Sequence, residues 1–392
     1  MRQPSRDVYD VVIAGGGPAG SSLAIRLASA GLSVLVAEQK RFPREKLCGE
    51  FISPECLSHF EELGVLPGIM SQSSRFGETV FYARRGRSVS VDSEWFGDGD
   101  SNAVGLSRAE MDDLMLRRAG ELGVDVCEET TAVGVLTKGE TIAGVRLKVR
   151  KGDEEDVAAT LVVDATGRNR SVAREAESSE KTATRARHVA FKTHVRDAAV
   201  EPGACEIYSY RGGYGGCNAI EGGLFNVCFI VAAGDAKLLG SDPDRVLREV
   251  VSTNQRARET MMNAEAVKPW LAVPIQRFGR GTLNPRAGLV TVGDSAAFID
   301  PFTGSGILLA LQSSKILSYA ITRNWENGVG RITDEYQRLY SAAFDSRLRW
   351  CSMLRTAAFS PLAAELTIAG LGLSRNLRRR IARLTRFNTG DI

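Results

Sequence analysis

Two glycine-rich segments, far apart in the chain, carry the residues whose types and spacing point most clearly to chemistry. The first contains Gly15, Gly17 and Gly20, with Pro18 and Ala19 between the last two. Gly15 permits a tight turn, Gly17 lets the backbone approach a diphosphate, and Gly20 allows close packing of a helix on a strand. The helix that follows offers unpaired N–H groups and the positive end of its dipole. The spacing therefore predicts a diphosphate-binding turn.

The residues on either side of these glycines are typical of a strand, a helix and a second strand. An apolar run over Val8–Ala14 predicts a buried parallel strand, residues 21–30 a helix, and residues 33–37 the next strand. Glu38 ends that strand, where a carboxylate accepts hydrogen bonds from the two hydroxyls of a ribose. Gln39 beside it belongs to the same candidate site. The complete unit predicts a dinucleotide site and does not by itself separate NAD from FAD.

The second glycine-rich segment follows another apolar run, at residues 289–292. It begins with Gly293 and Asp294, and a further stretch at 300–306 leads into a helix predicted over residues 304–323. We interpret these two stretches as the place where the ribityl chain and the ring of a flavin are held. Together with the first turn they predict FAD as the cofactor.

Length and composition exclude several classes of protein. A chain of 392 residues predicts two intertwined domains, and 43% hydrophobic with 25% charged residues is ordinary for a globular protein. A net charge of +3 is too small to indicate nucleic-acid binding. The seven cysteines show no C-x-x-C spacing, so we expect no metal site or disulfide framework, and a reducing cytosol is favoured. We also expect no signal peptide and no membrane-spanning helix.

A third candidate site residue is Arg108, at the start of a helix predicted over residues 107–122. Ser107 and Glu110 have the spacing of a capping box. A cation in the first turn is disfavoured by the helix dipole, so Arg108 needs a negative partner. Two interpretations stay open here: an anionic ligand, or a local ion pair with Asp112.

Weakly alternating residues from 79 to 91 and strand-like runs from about 186 to 274 predict a second, inserted sheet. His188 and His194 fall in one of these runs, and we interpret both as ordinary sheet positions. The predicted organisation is a discontinuous cofactor domain (1–78, 104–185 and 276–330), a substrate-binding sheet domain (79–103 and 186–275) and a C-terminal helical region (331–392).

Four segments in this order resemble the FAD-dependent oxidoreductase superfamily that includes p-hydroxybenzoate hydroxylase, geranylgeranyl reductases and flavin halogenases. The match spans about residues 8–325 and implies an α/β fold: a Rossmann-like FAD-binding domain, an inserted antiparallel β-sheet and C-terminal helices. The four segments are residues 15–20, Arg108 at a helix start, Asp164 and Gly167 with Ser171 and Arg174, and Gly293–Asp294 with residues 301–306.

The resemblance implies a role for each of these residues. Glu38 would hold the adenosine ribose, Arg108 would contact the diphosphate region, and Asp294 would bind the ribityl hydroxyls. The backbone amides of Gly304, Ser305 and Gly306 would face the N1–O2 edge of the flavin, where a helix N-terminus stabilises negative charge. The remaining candidate cofactor contacts are Asp164, Gly167, Gly293, Pro301 and Ile307.

Within the superfamily, residues 46–50 look most like the geranylgeranyl reductase branch, which has a Lys-x-Cys-Gly-Glu segment near the flavin. Here these residues are Lys46, Cys48, Gly49 and Glu50. A glycine permits close approach to the ring, and a thiol there can protonate a substrate. Cys48 is thus the candidate catalytic residue, with a buried small hydrophobe as the alternative. Lys46 would pair with a phosphate or a substrate carboxylate, or remain a solvated loop lysine.

Three departures from related branches narrow the function. The Asp-Gly motif of aromatic hydroxylases reads Asp-Ala-Thr-Gly at residues 164–167, which is nearer reductases and halogenases. Residues 214–220 lack the bulky aromatic side chains of geranylgeranyl reductases, which argues against a long prenyl substrate. Residues 270–274 lack the Trp-x-Trp-x-Ile-Pro signature of halogenases.

The first hypothesis is a geranylgeranyl-reductase-like enzyme that reduces a C=C bond of a hydrophobic substrate by hydride transfer from flavin N5. The alternative is an NAD(P)H-dependent monooxygenase that hydroxylates or epoxidises an aromatic or polyketide-like small molecule. A halogenase and a non-catalytic escort of a prenylated protein are less favoured. NAD(P)H is the expected reductant in the first two cases.

The C-terminus carries one more candidate feature, a basic amphipathic helix. Arginines at 375, 378, 379, 380, 383 and 386 alternate with apolar residues. Such a helix can lie on an anionic membrane surface, which would suit a lipid-like substrate in a cytoplasmic protein. The alternative is a helix packed on the cofactor domain with a solvated basic face.

Overall fold

The computed structural model describes residues 4–96, 102–149, 152–177, 186–276, 278–298, 304–358 and 361–384. The strands of this part of the chain, in order, are β1 (Val8–Ala14), β2 (Val34–Glu38), β3 (Phe51–Ile52), β4 (Ser74–Phe76), β5 (Glu78–Tyr82), β6 (Ser88–Asp92), β7 (Ala103–Gly105), β8 (Asp125–Glu128), β9 (Thr130–Lys138), β10 (Thr141–Val149), β11 (Glu154–Asp164), β12 (His188–Arg196), β13 (Ala204–Tyr210), β14 (Gly213–Ala219), β15 (Phe225–Ala232), β16 (Glu265–Ala266), β17 (Leu271–Ile275), β18 (Gly279–Arg280), β19 (Leu289–Thr291) and β20 (Ala297–Phe298).

The helices of the same part of the chain are α1 (Pro18–Ser29), α2 (Glu55–Glu62), α3 (Leu66–Gln72), α4 (Arg108–Glu121), α5 (Ser171–Ala176), α6 (Ala233–Leu238), α7 (Pro243–Glu249), α8 (Gln255–Thr260), α9 (Gly306–Asn324), α10 (Val329–Ala358), α11 (Pro361–Gly372) and α12 (Arg375–Leu384). Among the described residues, no helix combines the length and the apolar character that crossing a lipid bilayer requires.

The first sheet has the strand order β8-β2-β1-β11-β10-β9, with β19 paired to the end of β11. Strands β8, β2, β1, β11 and β19 run parallel, whereas the hairpin β9–β10 joins the early part of β11 antiparallel. The carboxyl ends of parallel strands meet at one edge of a sheet, which is where open α/β sheets bind their ligands. The glycine turns after β1 and β19 are therefore brought to the same edge, as the sequence predicts.

Alternate side chains of β1 enter two separate cores, so both faces of the first sheet are covered. Val11 and Ile13 are buried against α1, α4, α9 and α10, whereas Val12 and Ala14 are buried against the β9–β10 hairpin and α5. A parallel strand buried on both faces has the continuous apolar sequence from which this strand was predicted. The Rossmann-like architecture is confirmed.

The second sheet has the strand order β16-β12-β15-β14-β13-β5-β6, with β17 beside β12. Most pairs are antiparallel, but β5 and β13 pair in parallel, so the predicted antiparallel sheet is in fact mixed. One face packs on α6, α7 and α8 through a core that includes Phe191, Phe229 and Val246. The opposite face looks toward the carboxyl edge of the first sheet.

Several local predictions are confirmed and others need correction. The Ser107 hydroxyl accepts the Glu110 amide, 3.2 Å away, but the Ser107 amide donates to Glu221 instead of completing the capping box with Glu110. Asp242 caps α7 by accepting two backbone amides. The prediction did not include α6 and α8, or the glycine-rich strand β14.

The last two helices, α11 and α12, pack on the second sheet, whereas α10 packs on α9 of the cofactor domain. The interpretation that the basic helix packs on the cofactor domain is therefore wrong. Ile368 of α11 is buried against Ala83 and Val89, and Ala382 of α12 is buried against Trp95. An ion pair of 2.9 Å joins Arg375 of α12 to Asp92 at the end of β6. The last helices of the chain thus cover the edge of the sheet that its early strands form.

A buried Arg–Glu pair and an exposed one give a matched test of what holds the second sheet to its helices. Arg256 lies 2.6 Å from Glu206, whose side chain has no exposed surface, whereas Arg245 and Glu249 are each about half exposed. Because Arg256→Ala leaves a buried carboxylate unpaired, we expect it to cost about 3 kcal/mol of unfolding free energy. We expect Arg245→Ala to cost less than about 0.5 kcal/mol. Urea denaturation followed by circular dichroism measures both, and equal losses would show that burial of the pair is unimportant.

Candidate functional site

A cavity of about 620 Å³ lies between the carboxyl edge of the first sheet and the open face of the second. Its wall at one end is formed by the loops after β1, β2, β11 and β19. Its wall at the other end is formed by strands β5, β6, β13 and β14 with helices α11 and α12. The two sequence segments that predict a cofactor site therefore face one enclosed space, opposite the predicted substrate sheet.

The glycines after β1 are required by the close approach of neighbouring backbone. Gly15 has a φ of +107°, and a Cβ there would lie 2.4 Å from the carbonyl oxygen of Ala165. A Cβ on Gly20 would lie 1.9 Å from the carbonyl oxygen of Gly15. Gly17 differs, because a Cβ there would meet only two guanidinium nitrogens, of Arg44 and Arg108, at 3.8 Å. The space over Gly17 is thus open to a ligand and is faced by two cations.

Four cations converge on this part of the cavity: Arg44, Lys46, Arg108 and Arg168. Enclosure by the surrounding protein lowers the pKa of Lys46, and the charges of Arg108, Arg44 and Arg168 lower it further. Burial also lowers the pKa of Arg168. Cations so close together repel one another, and an anion between them would offset that repulsion. The group therefore fits a ligand with two negative phosphates at the N-terminus of α1.

Arg108 forms the local ion pair that was one of its two interpretations, and it also lies in the cavity wall, where the other interpretation, contact with an anionic ligand, stays a prediction. Its guanidinium forms a two-point ion pair with Asp112, at 2.7 and 2.8 Å, and Arg44 lies 2.8 Å from the same carboxylate. Burial opposes the charge of Arg108, but Asp112 outweighs this effect and raises its pKa. The local pair therefore orients the guanidinium toward the space over Gly17.

Two acidic residues stand at opposite ends of the cofactor half of the cavity. The Glu38 carboxylate lies at the carboxyl end of β2 and accepts the backbone amides of Gly16 and Lys40, each at 2.9 Å. Asp294 lies beyond β19, where burial raises its pKa even though Arg108 and Arg168 oppose the shift. A carboxylate at either position could accept hydrogen bonds from the hydroxyls of a ribose or a ribityl chain, which is the role that the resemblance implies for it.

Asp164 lies beneath the cavity wall, and its carboxylate is used by the protein itself. One oxygen accepts the Thr166 amide and hydroxyl and the Ser295 hydroxyl, at 2.7 to 3.0 Å, and the other accepts the Ala173 amide at 2.8 Å. Asp164 therefore ties the loop after β11 to the loop after β19. The expectation that it contacts the cofactor directly is replaced by a positioning role.

The predicted site residues fall into three groups by position. The cavity wall contains Gly15, Gly17, Pro18, Ala19, Glu38, Gln39, Lys46, Cys48, Gly49, Arg108, Gly167, Asp294, Gly304, Gly306 and Ile307. Behind the wall lie Gly20, Asp164, Gly293 and Ser305. Pro301, with residues 299–303, lies outside the described part of the chain.

The segment of residues 46–50 crosses the cavity where its cofactor half meets its substrate half. The Asn226 side chain donates to the Cys48 carbonyl at 3.2 Å, and the Asn218 side chain donates to the Glu50 carbonyl at 3.4 Å. The Cys48 sulfur accepts the Glu50 amide at 3.3 Å and interacts with the Arg108 guanidinium. Strands β14 and β15 thus fix this segment from the side of the second sheet.

A buried ionic cluster behind Cys48 is the main functional feature that the sequence did not reveal. Glu50 has no exposed surface, and it lies 2.5 Å from Lys192 and 2.7 Å from His194. Lys192 also lies 2.9 Å from Glu45. His194 is therefore an ion-pair partner and not an ordinary sheet position. Two polar residues in alternate positions of β12 point to the same face, and this spacing was the available signal.

Two carboxylates and an imidazole are groups that also bind metal ions, and Glu45, Glu50 and His194 lie close enough together to do so. The Lys192 ammonium, however, lies between the two carboxylates and supplies the positive charge that they require. The cluster is therefore a complete ionic arrangement of protein groups.

The substrate half of the cavity is mainly apolar. Gly215 and Gly216 of β14 form part of its floor, and Cβ atoms there would lie 2.7 Å from Phe229 and 2.8 Å from the Glu206 carbonyl. Apolar side chains of the second sheet and the last helices complete it: Phe81, Val89, Val91, Phe96, Ile207, Ile368, Leu371 and Ile381. The space suits a hydrophobic molecule that is compact near the cofactor.

The donor set of the cofactor half fits FAD. The turn over Gly17 and the converging cations suit a diphosphate, Glu38 suits a ribose, and Asp294 suits a ribityl chain. Gly306 and Ile307, at the N-terminus of α9, line the cavity, and a helix N-terminus there would stabilise negative charge on a flavin ring.

Comparison with known proteins agrees with this fit. The model of a family described as FAD binding domain matches residues 8–343. A digeranylgeranylglycerophospholipid reductase from Methanosarcina acetivorans is 28% identical over 324 residues, which cover 80% of this chain and 75% of the relative. A 1H-pyrrole-2-carbonyl peptidyl-carrier-protein chlorinase from Pseudomonas fluorescens is 26% identical over 349 residues, with coverage of 79% and 75%.

Among solved structures, a geranylgeranyl bacteriochlorophyll reductase-like protein from Thermoplasma acidophilum superposes with a TM-score of 0.77. It is 20% identical in sequence, and the match covers 98% of this chain and 94% of that one. At this identity the likeness establishes the fold alone.

We predict that Gly17→Ala folds normally but loses FAD. Its φ of −73° is ordinary for alanine, and the added methyl group meets no protein backbone, yet it fills the space over the turn. We expect the affinity for FAD to fall at least about tenfold, since the ligand must retreat from the turn. Titration of the apoprotein with FAD, followed by flavin fluorescence, measures the loss. Gly234→Ala, in α6 and with open space around it, is the matched control and should bind FAD normally.

Proposed function

Because the chain belongs to the FAD-binding domain family and is an FAD-dependent oxidoreductase, we propose that it reduces a C=C bond of a hydrophobic small molecule. The proposed reaction is geranylgeranyl-reductase-like: a hydride passes from flavin N5 to one carbon, and the protein side of the cavity supplies a proton to the other. NAD(P)H is the proposed electron donor.

The observation that carries this proposal is the position of Cys48. Its thiol lies in the cavity wall between the donor set that fits FAD and the apolar half that suits a substrate. A group at that junction is within reach of a substrate carbon that lies against the flavin ring. The proposed role of Cys48 is therefore to donate the proton, as a general acid.

The surroundings of Cys48 support this role. The sulfur accepts a hydrogen bond from the Glu50 amide at 3.3 Å and interacts with the Arg108 guanidinium. The same contacts hold the sulfur in a fixed position above the cofactor half of the cavity.

The alternative is an NAD(P)H-dependent monooxygenase. The similarity to a carrier-protein chlorinase is a further reason to test for reactions that consume oxygen. The two functions differ in what the reduced enzyme consumes. We propose to reduce the enzyme with NADPH under anaerobic conditions and to offer prenyl, enone and aromatic acceptors before and after oxygen is admitted. A product heavier by two hydrogens, formed without oxygen, supports the reductase. A product that contains an oxygen atom from O2, or a halogen when halide is present, overturns it.

We predict that Cys48→Ala slows alkene reduction by about a hundredfold while FAD content stays unchanged. Cys48→Ser should keep part of the rate, because its hydroxyl can donate a proton from the same position. It should remain slower than the unmodified enzyme, because a hydroxyl is a weaker acid than a thiol. Rapid-mixing measurement of flavin reoxidation by the alkene gives both rates. Cys127→Ala is the matched control, since Cys127 is buried in the first sheet and burial raises the pKa of its thiol to about 11. Unchanged turnover in Cys48→Ala would exclude the proton-donor role.

We further propose that α12 brings the cavity to an anionic membrane surface. Arg379, Arg380 and Leu377 are exposed on this helix, Leu377 at 44% of its surface, and Leu373, just before the helix, is 89% exposed. Exposed leucines beside arginines are typical of helices that lie at a lipid interface. Ile381 of the same helix lines the cavity, so a lipid-like substrate would have a short path inward.

We expect the protein to co-sediment with vesicles that contain phosphatidylserine and to be released by high salt, which screens the charges. Arg379→Glu with Arg380→Glu should abolish sedimentation. Arg245→Glu with Arg248→Glu, on exposed positions of α7, keeps the same change of net charge and should sediment like the unmodified protein. Failure to pellet at low salt, or equal pelleting with neutral vesicles, would exclude the membrane proposal.

A further inference from the structure

Glu45, Glu50, Lys192 and His194, here called the ionic box, form a closed arrangement of two carboxylates and two bridging groups. Lys192 Nζ lies 2.9 Å from Glu45 Oε2 and 2.5 Å from Glu50 Oε1. His194 bridges the same carboxylates, with Nε2 2.7 Å from Glu50 Oε2 and Nδ1 3.9 Å from Glu45 Oε1. Lys192 is therefore the group that hydrogen-bonds to both carboxylates and through which they can exchange a proton, whereas the contact of His194 with Glu45 is too long for a hydrogen bond.

The ionic box also connects solvent to the cavity. The Glu45 side chain is 30% exposed, and one of its oxygens lies 3.9 Å from Lys268, whose side chain is half exposed. Lys192 and His194 are 2% and 3% exposed, and Glu50 is completely buried while it lines the cavity beside Cys48. Exposure thus falls steadily from Glu45 through the bridges to Glu50.

We propose that the ionic box is the route by which protons from solvent reach the flavin cavity, with Glu45 as the entrance and Glu50 as the exit. Glu50 takes a proton from Lys192 and passes one toward Cys48, which precedes it by two residues in the cavity wall. Lys192 takes one from Glu45, and Glu45 takes one from solvent. At the end of the cycle the charge of the ionic box is unchanged and one proton has moved inward.

The proposed reaction requires such a supply. An alkene that accepts a hydride on one carbon needs one proton on the other, and the proton comes ultimately from solvent. Oxygen that accepts the same two electrons also takes up a proton on its way to hydrogen peroxide. The relay rests on the proposed function in one respect, because it needs a flavin that is reduced and reoxidised. Reoxidation by oxygen therefore tests the relay even when the alkene substrate is unknown.

The electrostatics of the ionic box favour its charged resting form, so a proton transferred through it is held only transiently and the original charges then return. Burial would lower the pKa of Lys192, but Glu50 and Glu45 outweigh this effect and raise it. Burial would raise the pKa of Glu45, but Lys192 outweighs this and lowers it. The ionisable or charged groups around Glu50 come from the segment itself, β12, β15 and the start of α4: Glu45, Cys48, Lys192, His194, Cys228 and Arg108.

The first test compares Glu45→Gln with the unmodified holoenzyme in two half-reactions. Reduction by NADPH transfers a hydride alone, so its rate should not change. Reoxidation by oxygen, or by the alkene once known, should slow by about tenfold and show a larger solvent deuterium isotope effect. Added imidazole buffer should restore the rate, because a small acid can replace the lost carboxylate, whereas a change of shape would not be rescued.

Glu62→Gln is the matched control. Glu62 is a partly exposed glutamate that pairs with Lys315 at 2.8 Å, as Glu45 pairs with Lys192, but it lies on α2 outside the cavity wall. Its reoxidation rate and isotope effect should equal those of the unmodified enzyme. Equal slowing in both variants would overturn the relay.

The second test measures proton exchange directly and needs neither turnover nor cofactor. In protein labelled with ¹⁵N at lysine side chains, the Lys192 ammonium signal is assigned by its loss in Lys192→Arg. We expect its protons to exchange with water at least about tenfold more slowly in Glu45→Gln, since the entrance carboxylate is gone. Unchanged exchange would overturn the relay. If exchange slows while no acceptor is reduced, the relay stands and the proposed function fails.

Discussion

The contacts of the buried Glu50 carboxylate hold the second sheet against the cofactor domain. It accepts the Arg108 amide at 2.8 Å and pairs with Lys192 and His194 of the second sheet. A buried carboxylate is stable only when it is fully paired, so these partners cannot move apart independently. Since Cys48 and Gly49 precede Glu50 directly, the same contact sets the distance between the candidate acid and the cofactor half of the cavity.

Charge balance across the cavity follows from the same arrangement. On the cofactor side, Asp112 holds Arg44 and Arg108 in place but leaves Lys46 and Arg168 facing the open space, which thereby favours an anion. On the side of the second sheet, the Lys192 ammonium lies between the two carboxylates of the ionic box and offsets part of their charge. The cavity is therefore cationic where a diphosphate would lie and mainly apolar where a hydrophobic substrate would enter.

The sequence predicted the cofactor half well because its signals are local. A strand, three spaced glycines, a helix and Glu38 lie within one short stretch, and each has one geometric reason for its position. The ionic box could not be found in this way, because Glu50 and Lys192 are 142 residues apart and only strand pairing brings them together. Strand β14 was missed since Gly215 and Gly216 lack strand propensity, yet they fit because neighbouring backbone leaves no room for side chains.

The two halves of the cavity differ in what they determine: one half binds the cofactor, and the other half decides which reaction follows. The glycine turn, the cations and Asp294 are demanded by the cofactor, and they would serve a reductase, a monooxygenase or a halogenase equally well. The other half combines β14, which has glycines in place of bulky side chains, with α11 and α12 from the end of the chain. Its shape selects the substrate, and the path through the ionic box determines whether protons arrive as fast as hydrides. The type of reaction therefore depends on how this second half controls access by substrate, oxygen and protons, and the glycine fingerprint alone cannot decide it.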